Sequence, residues 1–108
     1  MSIVETLQNS NKPILNRWLS DDELFFKRLK SHDPDAFKTL YKFYASPLLG
    51  SILRSVGNQK RAELILEKTF IEVWNTIGLF DDSKHKLFTW INQISRKMIL
   101  KNTINTDY

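Results

Sequence analysis

A chain of 108 residues that is 42% hydrophobic and 12% aromatic is long enough for one domain with a real core and too apolar for a disordered tail. It has no cysteine, which excludes a disulfide framework and Cys-ligated zinc, and no apolar run approaches the roughly 20 residues that cross a bilayer. The net charge of +4, with a pI of about 9.4, permits a polyanionic partner without requiring one.

Residues 1–19 read as an N-terminal extension. Met1 to Ser10 lacks the basic start and apolar stretch of a signal peptide, so a cytoplasmic location without membrane contact is expected. A helix starting at Pro13 would place Ile14, Leu15, Trp18 and Leu19 on one face. The main domain spans 20–102. Ser20-Asp21-Asp22-Glu23 has the form of a capping box and opens a helix carrying Leu24, Phe25 and Leu29. Asp33 caps the next helix, with Pro34 in its first turn. Phe37, Leu40, Tyr41, Tyr44, Leu48, Ile52 and Val56 follow at three- and four-residue spacing, and Pro47 is expected to kink or interrupt them. Gly57 is a stop and Asn58 a cap.

The third long helix is expected from about Gln59 to Ile77, ended by Gly78. Its buried side is Ala62, Ile65, Leu66, Thr69, Phe70, Val73 and Ile77. Phe80 to Lys86 is a polar loop. Ser83 is a candidate start for the last helix, whose apolar stripe is Leu87, Ile91, Ile94 and Met98. Residues 103–108 form a polar tail expected to fray. No useful strand-like alternation occurs. The predicted fold class is all-α, a compact bundle of three to four main helices.

Little supports catalysis. The three glycines are isolated, so no phosphate loop exists. His32 and His85 lie far apart in polar stretches and read as solvated loop histidines. Asp81-Asp82 reads as a turn or cap more readily than as a metal site. Neither an enzyme nor a cofactor or metal is expected. Charge distribution is more informative than the total. Between Ser83 and Lys101 the sequence has Lys84, Lys86, Arg96, Lys97 and Lys101, with His85 and no acid. Glu63, Glu67 and Glu72 cluster earlier. Phe80, Phe88 and Trp90 flank the basic loop and admit two readings. They could stack on the bases of a single strand while the lysines meet phosphates, or Phe88 and Trp90 could simply anchor the last helix. Composition alone favours the anchor.

The order and spacing of these residues resemble region 2 of bacterial sigma factors, most closely the short extracytoplasmic-function (ECF) group. The resemblance runs from about Asp21 to Leu100. Asp35-Ala36-Phe37, Leu40-Tyr41 and Tyr44 look like the family's opening helices. Ala62-Glu63, Phe70 and Trp74 look like its region 2.2. Phe80-Asp81, Phe88, Trp90-Ile91, Ile94 and Arg96 look like regions 2.3 and 2.4. The resemblance implies a polymerase face at Glu63, Leu64, Glu67 and Lys68, meeting the clamp helices of the β′ subunit of RNA polymerase core. It implies a DNA face at Phe80, Asp82, Ser83, Lys84, His85, Lys86, Trp90, Arg96 and Lys97, which would recognise and melt the single strand of the promoter −10 element. An anti-sigma factor is a further implied partner.

The departures from the family pattern fall on contact positions. Leu64 stands where the family has Asp, and Glu67-Lys68 where it has Gln-Glu. Ile94-Ser95-Arg96-Lys97 stands for Ile-Ala-Arg-Asn, and Lys101 and Ile104 replace a later Asp and Arg. The chain has no room for region 4, the domain that reads the −35 element, so it is either part of a longer protein or a stand-alone region 2. The rival reading is a protein-interaction module that keeps the fold without reading DNA, as a competitor for polymerase or a regulator-binding domain. An unrelated helical bundle is the third.

Overall fold

The structure is a computed structural model that describes residues 21–106, with side chains through Asn102. Four α-helices occur among them: α1 (Asp21–Lys30), α2 (Pro34–Val56), α3 (Gln59–Thr76) and α4 (Leu87–Thr106), with a short 3-10 turn at Ile77–Leu79. The described residues contain no strand, and the fold class is all-α. None of these helices is long and apolar enough to cross a membrane. The chain divides into two units, Met1–Ala36 and Phe37–Tyr108. The expected helix at Pro13, the Ser20 cap and residues 107–108 of the tail lie outside the described residues.

In the first unit, α1 opens on Asp21, Asp22 and Glu23 and closes on Lys27, Arg28 and Lys30, a charge order that complements the helix dipole. His32 takes a left-handed conformation with φ 59. Its N–H donates to the Leu29 carbonyl at 2.9 Å, and the Asp33 N–H to the Arg28 carbonyl at 3.0 Å. These are the two bonds of a Schellman stop, so His32 has a backbone role that composition did not suggest. Asp33 then serves twice. Its Oδ1 accepts the Asp35 N–H at 2.9 Å, and its Oδ2 receives Arg28 Nε at 2.9 Å. The Arg28 hydrogen bond, aided by the backbone N–H groups of Asp35 and Ala36, holds the Asp33 carboxyl below its ordinary value of 3.8.

In the second unit, α2 continues through Pro47 as one helix, so the expected interruption does not occur. Pro47 and Phe43, the residue whose carbonyl loses its partner, both lie on the exposed side, where water can satisfy that carbonyl. Leu40, Leu48 and Ile52 are fully buried. Gly57, at φ 67, ends the helix in a conformation glycine adopts without strain. Asn58 caps α3, its side chain accepting the Arg61 N–H at 2.9 Å.

The whole expected face of α3 is buried, Ala62 through Ile77. Thr69 is tolerated there because its hydroxyl donates to the Ile65 carbonyl at 2.7 Å. The expected stripe of α4 is buried as well: Leu87, Ile91, Ile94 and Met98. Gly78 falls inside the 3-10 turn that follows α3.

The start of α4 differs from expectation. Ser83 does not begin the helix, because Asp81 captures it first. Asp81 Oδ1 accepts the Ser83 N–H at 3.0 Å and the Ser83 hydroxyl at 2.6 Å. The Asp81 carbonyl also accepts the N–H groups of Lys84 and His85. This Asx turn closes the loop locally, and helical geometry begins at Leu87.

Candidate functional site

Two exposed surfaces of the second unit carry the residues singled out from sequence. The first is the outer face of α3. Burial of Ala62, Ile65, Leu66, Thr69, Phe70 and Val73 turns Glu63, Leu64, Glu67 and Lys68 outward, and all four are exposed. They occupy two successive turns and form one patch. Gln59 Nε2 donates to Glu63 Oε2 at 2.8 Å and orients that carboxylate. Leu64 is 43% exposed and Ile71, two turns on, is 55% exposed. The patch is therefore apolar as well as charged.

Beside the patch runs a groove of about 740 Å³ between α2 and α3. Phe37, Tyr41, Leu66 and Phe70 line it, with Glu63 and Glu67 at its rim. Ring contacts set its walls: Phe37 lies 5.0 Å from Trp74, edge on, and Tyr41 lies 4.8 Å from Phe70. Tyr41 belongs to the apolar spacing of α2, yet it is 46% exposed. Sequence reasoning missed Ile71 and the groove. The available signal was that Ile71 falls out of phase with the buried stripe of α3.

The second surface is the loop and the helix it feeds. Asp82, Ser83, Lys84, His85 and Lys86 are all exposed. The Ser83 hydroxyl donates to Asp81, so it meets a further partner only as an acceptor. Arg96 and Lys97 are exposed on α4, beyond Trp90, which is half-buried. α4 carries no acidic residue.

Phe80 is the exception among the residues assigned to this face. It is 2% exposed, with its ring 5.3 Å from the Trp90 ring. Phe88 likewise meets Tyr44 at 5.4 Å. In this conformation the Phe80 ring is not offered to a base. Phe88 anchors the last helix, the alternative that composition favoured for it, whereas the burial of Phe80 departs from the face to which the resemblance assigned it. The physical reason is size: a Phe beside an apolar core gains more from burial than from water. Among the described residues no group of three or more His, Cys, Asp or Glu side chains is placed to hold a metal ion.

Over 74 residues, which are 68% of this chain and 39% of the relative, the sequence is 30% identical to the ECF RNA polymerase sigma factor SigW of Bacillus subtilis (strain 168). The chain thus spans about two fifths of the length of that curated relative. No family model matches the chain, and no solved structure matches it. The all-helical fold and this similarity together place the chain in a sigma-factor-like relationship.

Proposed function

We propose that this chain acts as a sigma region 2-like binding module, without catalysis, at the start of transcription. The outer face of α3 meets the β′ clamp helices of RNA polymerase core. The Asp81–Lys86 loop and α4 meet the single strand of the promoter −10 element. The observation that carries the reading is the charge segregation within the second unit. From Phe37 onward the exposed carboxylates of the helices are Glu63 and Glu67 on α3, while α4 has none. A protein partner and a polyanion can then be held on separate surfaces. The exposed apolar pair Leu64 and Ile71 gives the protein side a desolvating centre. Lys84 and Lys86 supply the phosphate term on the DNA side. Retention of a −10 non-template oligonucleotide by core enzyme plus this chain, and by neither alone, tests the reading. Retention no greater than with core enzyme alone would count against it.

A second reading is favoured by the burial of Phe80 and by Leu64 and Lys68 at positions where the resemblance implies acids. It is a module that occupies the polymerase clamp, or binds a regulator, without reading DNA. It predicts binding to core enzyme with no oligonucleotide retained. Promoter-specific transcripts would rule it out.

A further inference from the structure

The groove between α2 and α3 combines aromatic walls with an acidic rim. Phe37 and Tyr41 stand on α2, with Phe70 and Trp74 across from them on α3. Their rings meet at steep angles. Phe37 lies 5.0 Å from Trp74 at 81° and 6.1 Å from Phe70 at 86°, and Tyr41 lies 4.8 Å from Phe70 at 61°. Rings set this way do not share a plane, so a body lying in the groove meets aromatic faces from more than one direction. The face is the negative side of an aromatic ring, and it attracts a cation.

The rim has the same sign. Glu67 lies one turn before Phe70 on α3, and Glu63 one turn before that. Both line the groove, and no Lys, Arg or His does. Neither carboxylate forms an ion pair among the described residues. Glu63 is oriented instead by the neutral Gln59 amide at 2.8 Å. The chain as a whole carries +4, which opposes a cation at long range. That opposition is screened beyond about 8–10 Å, whereas the carboxylates and the ring faces act at contact.

Size narrows the class of ligand. The groove volume of about 740 Å³ falls within the roughly 300–1,000 Å³ of sites for small organic molecules. Axes of packed helices lie about 8–10 Å apart, and a helix with its side chains is about 10–12 Å across. A third helix can therefore lie over such a groove but not in it, while a slender molecule can enter. We infer that the groove is a binding site for a small amphipathic organic cation. Its ammonium head is held by the ring faces and by Glu63 and Glu67, and its apolar body lies against Leu66 and Phe70. A hydrated metal ion would have no use for the apolar walls, and an anion would be repelled by the rim. The inference goes beyond the polymerase reading and does not rest on it, although the two share Glu63 and Glu67.

The test is an NMR titration of the full chain with three probes of one shape: 3-phenylpropylammonium, 3-phenyl-1-propanol and 3-phenylpropanoate. At pH 7 the aliphatic amine is charged. The titrations are repeated with Glu67→Gln, an exposed site, and with Tyr41→Leu, which keeps an apolar wall but removes a ring. The ammonium is expected to shift the resonances of Tyr41, Glu67, Phe70 and Trp74 and to bind about tenfold more tightly than the alcohol, with the propanoate weakest. Glu67→Gln should weaken the ammonium about threefold and leave the alcohol unchanged. Tyr41→Leu should reduce the preference for ammonium over alcohol. Equal affinity for the three probes, or a preference unaltered in both variants, would overturn the site. Binding to RNA polymerase core is measured separately. A chain that binds core but shows no ammonium preference would overturn this inference and leave the polymerase reading standing. A chain with the preference that fails to bind core would do the reverse.

Discussion

The ring of Phe80 lies 5.3 Å from that of Trp90, and Phe80 is almost wholly inside the protein. This contact ties the end of the 3-10 turn to the first turn of α4 and fixes both ends of the basic loop. It makes Phe80 a stability residue first. Phe80→Ala should cost about 3–5 kcal/mol, and Phe80→Leu, a smaller truncation, should cost less. Urea denaturation of both variants checks this. An unchanged midpoint in Phe80→Ala, with weaker DNA binding, would return Phe80 to the DNA face.

The exposed loop lysines should behave in the opposite way. Lys84→Ala/Lys86→Ala is expected to leave stability within about 0.5 kcal/mol. It should lower the slope of log affinity against log salt for single-stranded DNA by about 1.4, the loss of two phosphate contacts. Fluorescence anisotropy over a salt series reads the slope. An unaltered slope would remove these lysines from the DNA face.

Asn58 is a local stabiliser with no proposed contact. Its side chain accepts the Arg61 N–H at the start of α3, so Asn58→Ala should cost about 1 kcal/mol. Thermal unfolding measures it, and partner binding should be unaffected at temperatures where the variant is folded.

The Arg28–Asp33 pair gives a pH signature in the first unit. Asp33 is lowered in the folded chain, chiefly by Arg28. Its stabilising contribution is therefore present above the unfolded value of 3.8 and is lost as pH falls through the lower folded value. Arg28→Ala should raise the Asp33 titration midpoint, leaving the N–H groups of Asp35 and Ala36 to lower it against the desolvation that raises it. Carboxyl-carbon NMR of Asp33 follows the shift directly. A midpoint that does not move would mean that the backbone bonds alone set it.

Much of the fold was legible because local signals agreed with one another. The buried faces of α3 and α4 follow helical periodicity residue by residue, and Asp33, Gly57 and Asn58 punctuate the chain as their chemistry dictates. The misses share a cause, which is tertiary or short-range polar context. Pro47 falls on the solvent side of α2, so the helix continues through it. Asp81 takes the Ser83 hydroxyl and so delays α4 to Leu87. Phe80 sits beside charged residues in sequence but folds inward. The candidate surfaces were only partly legible. Glu63, Leu64, Glu67 and Lys68 share a patch as their spacing requires. The groove at their side takes walls from both α2 and α3, which the periodicity of a single helix does not reveal.

The most direct measurement of the central claim is a binding titration of this chain against purified RNA polymerase core and, in parallel, a β′ clamp-helix fragment. The comparison is with Leu64→Glu/Ile71→Glu, both sites being exposed. The account predicts saturable binding of the wild-type chain to both. It also predicts at least a tenfold loss, about 1.4 kcal/mol, in a variant whose unfolding midpoint is unchanged. No binding to either by a cooperatively folded wild-type chain, or equal binding by the variant, would contradict it.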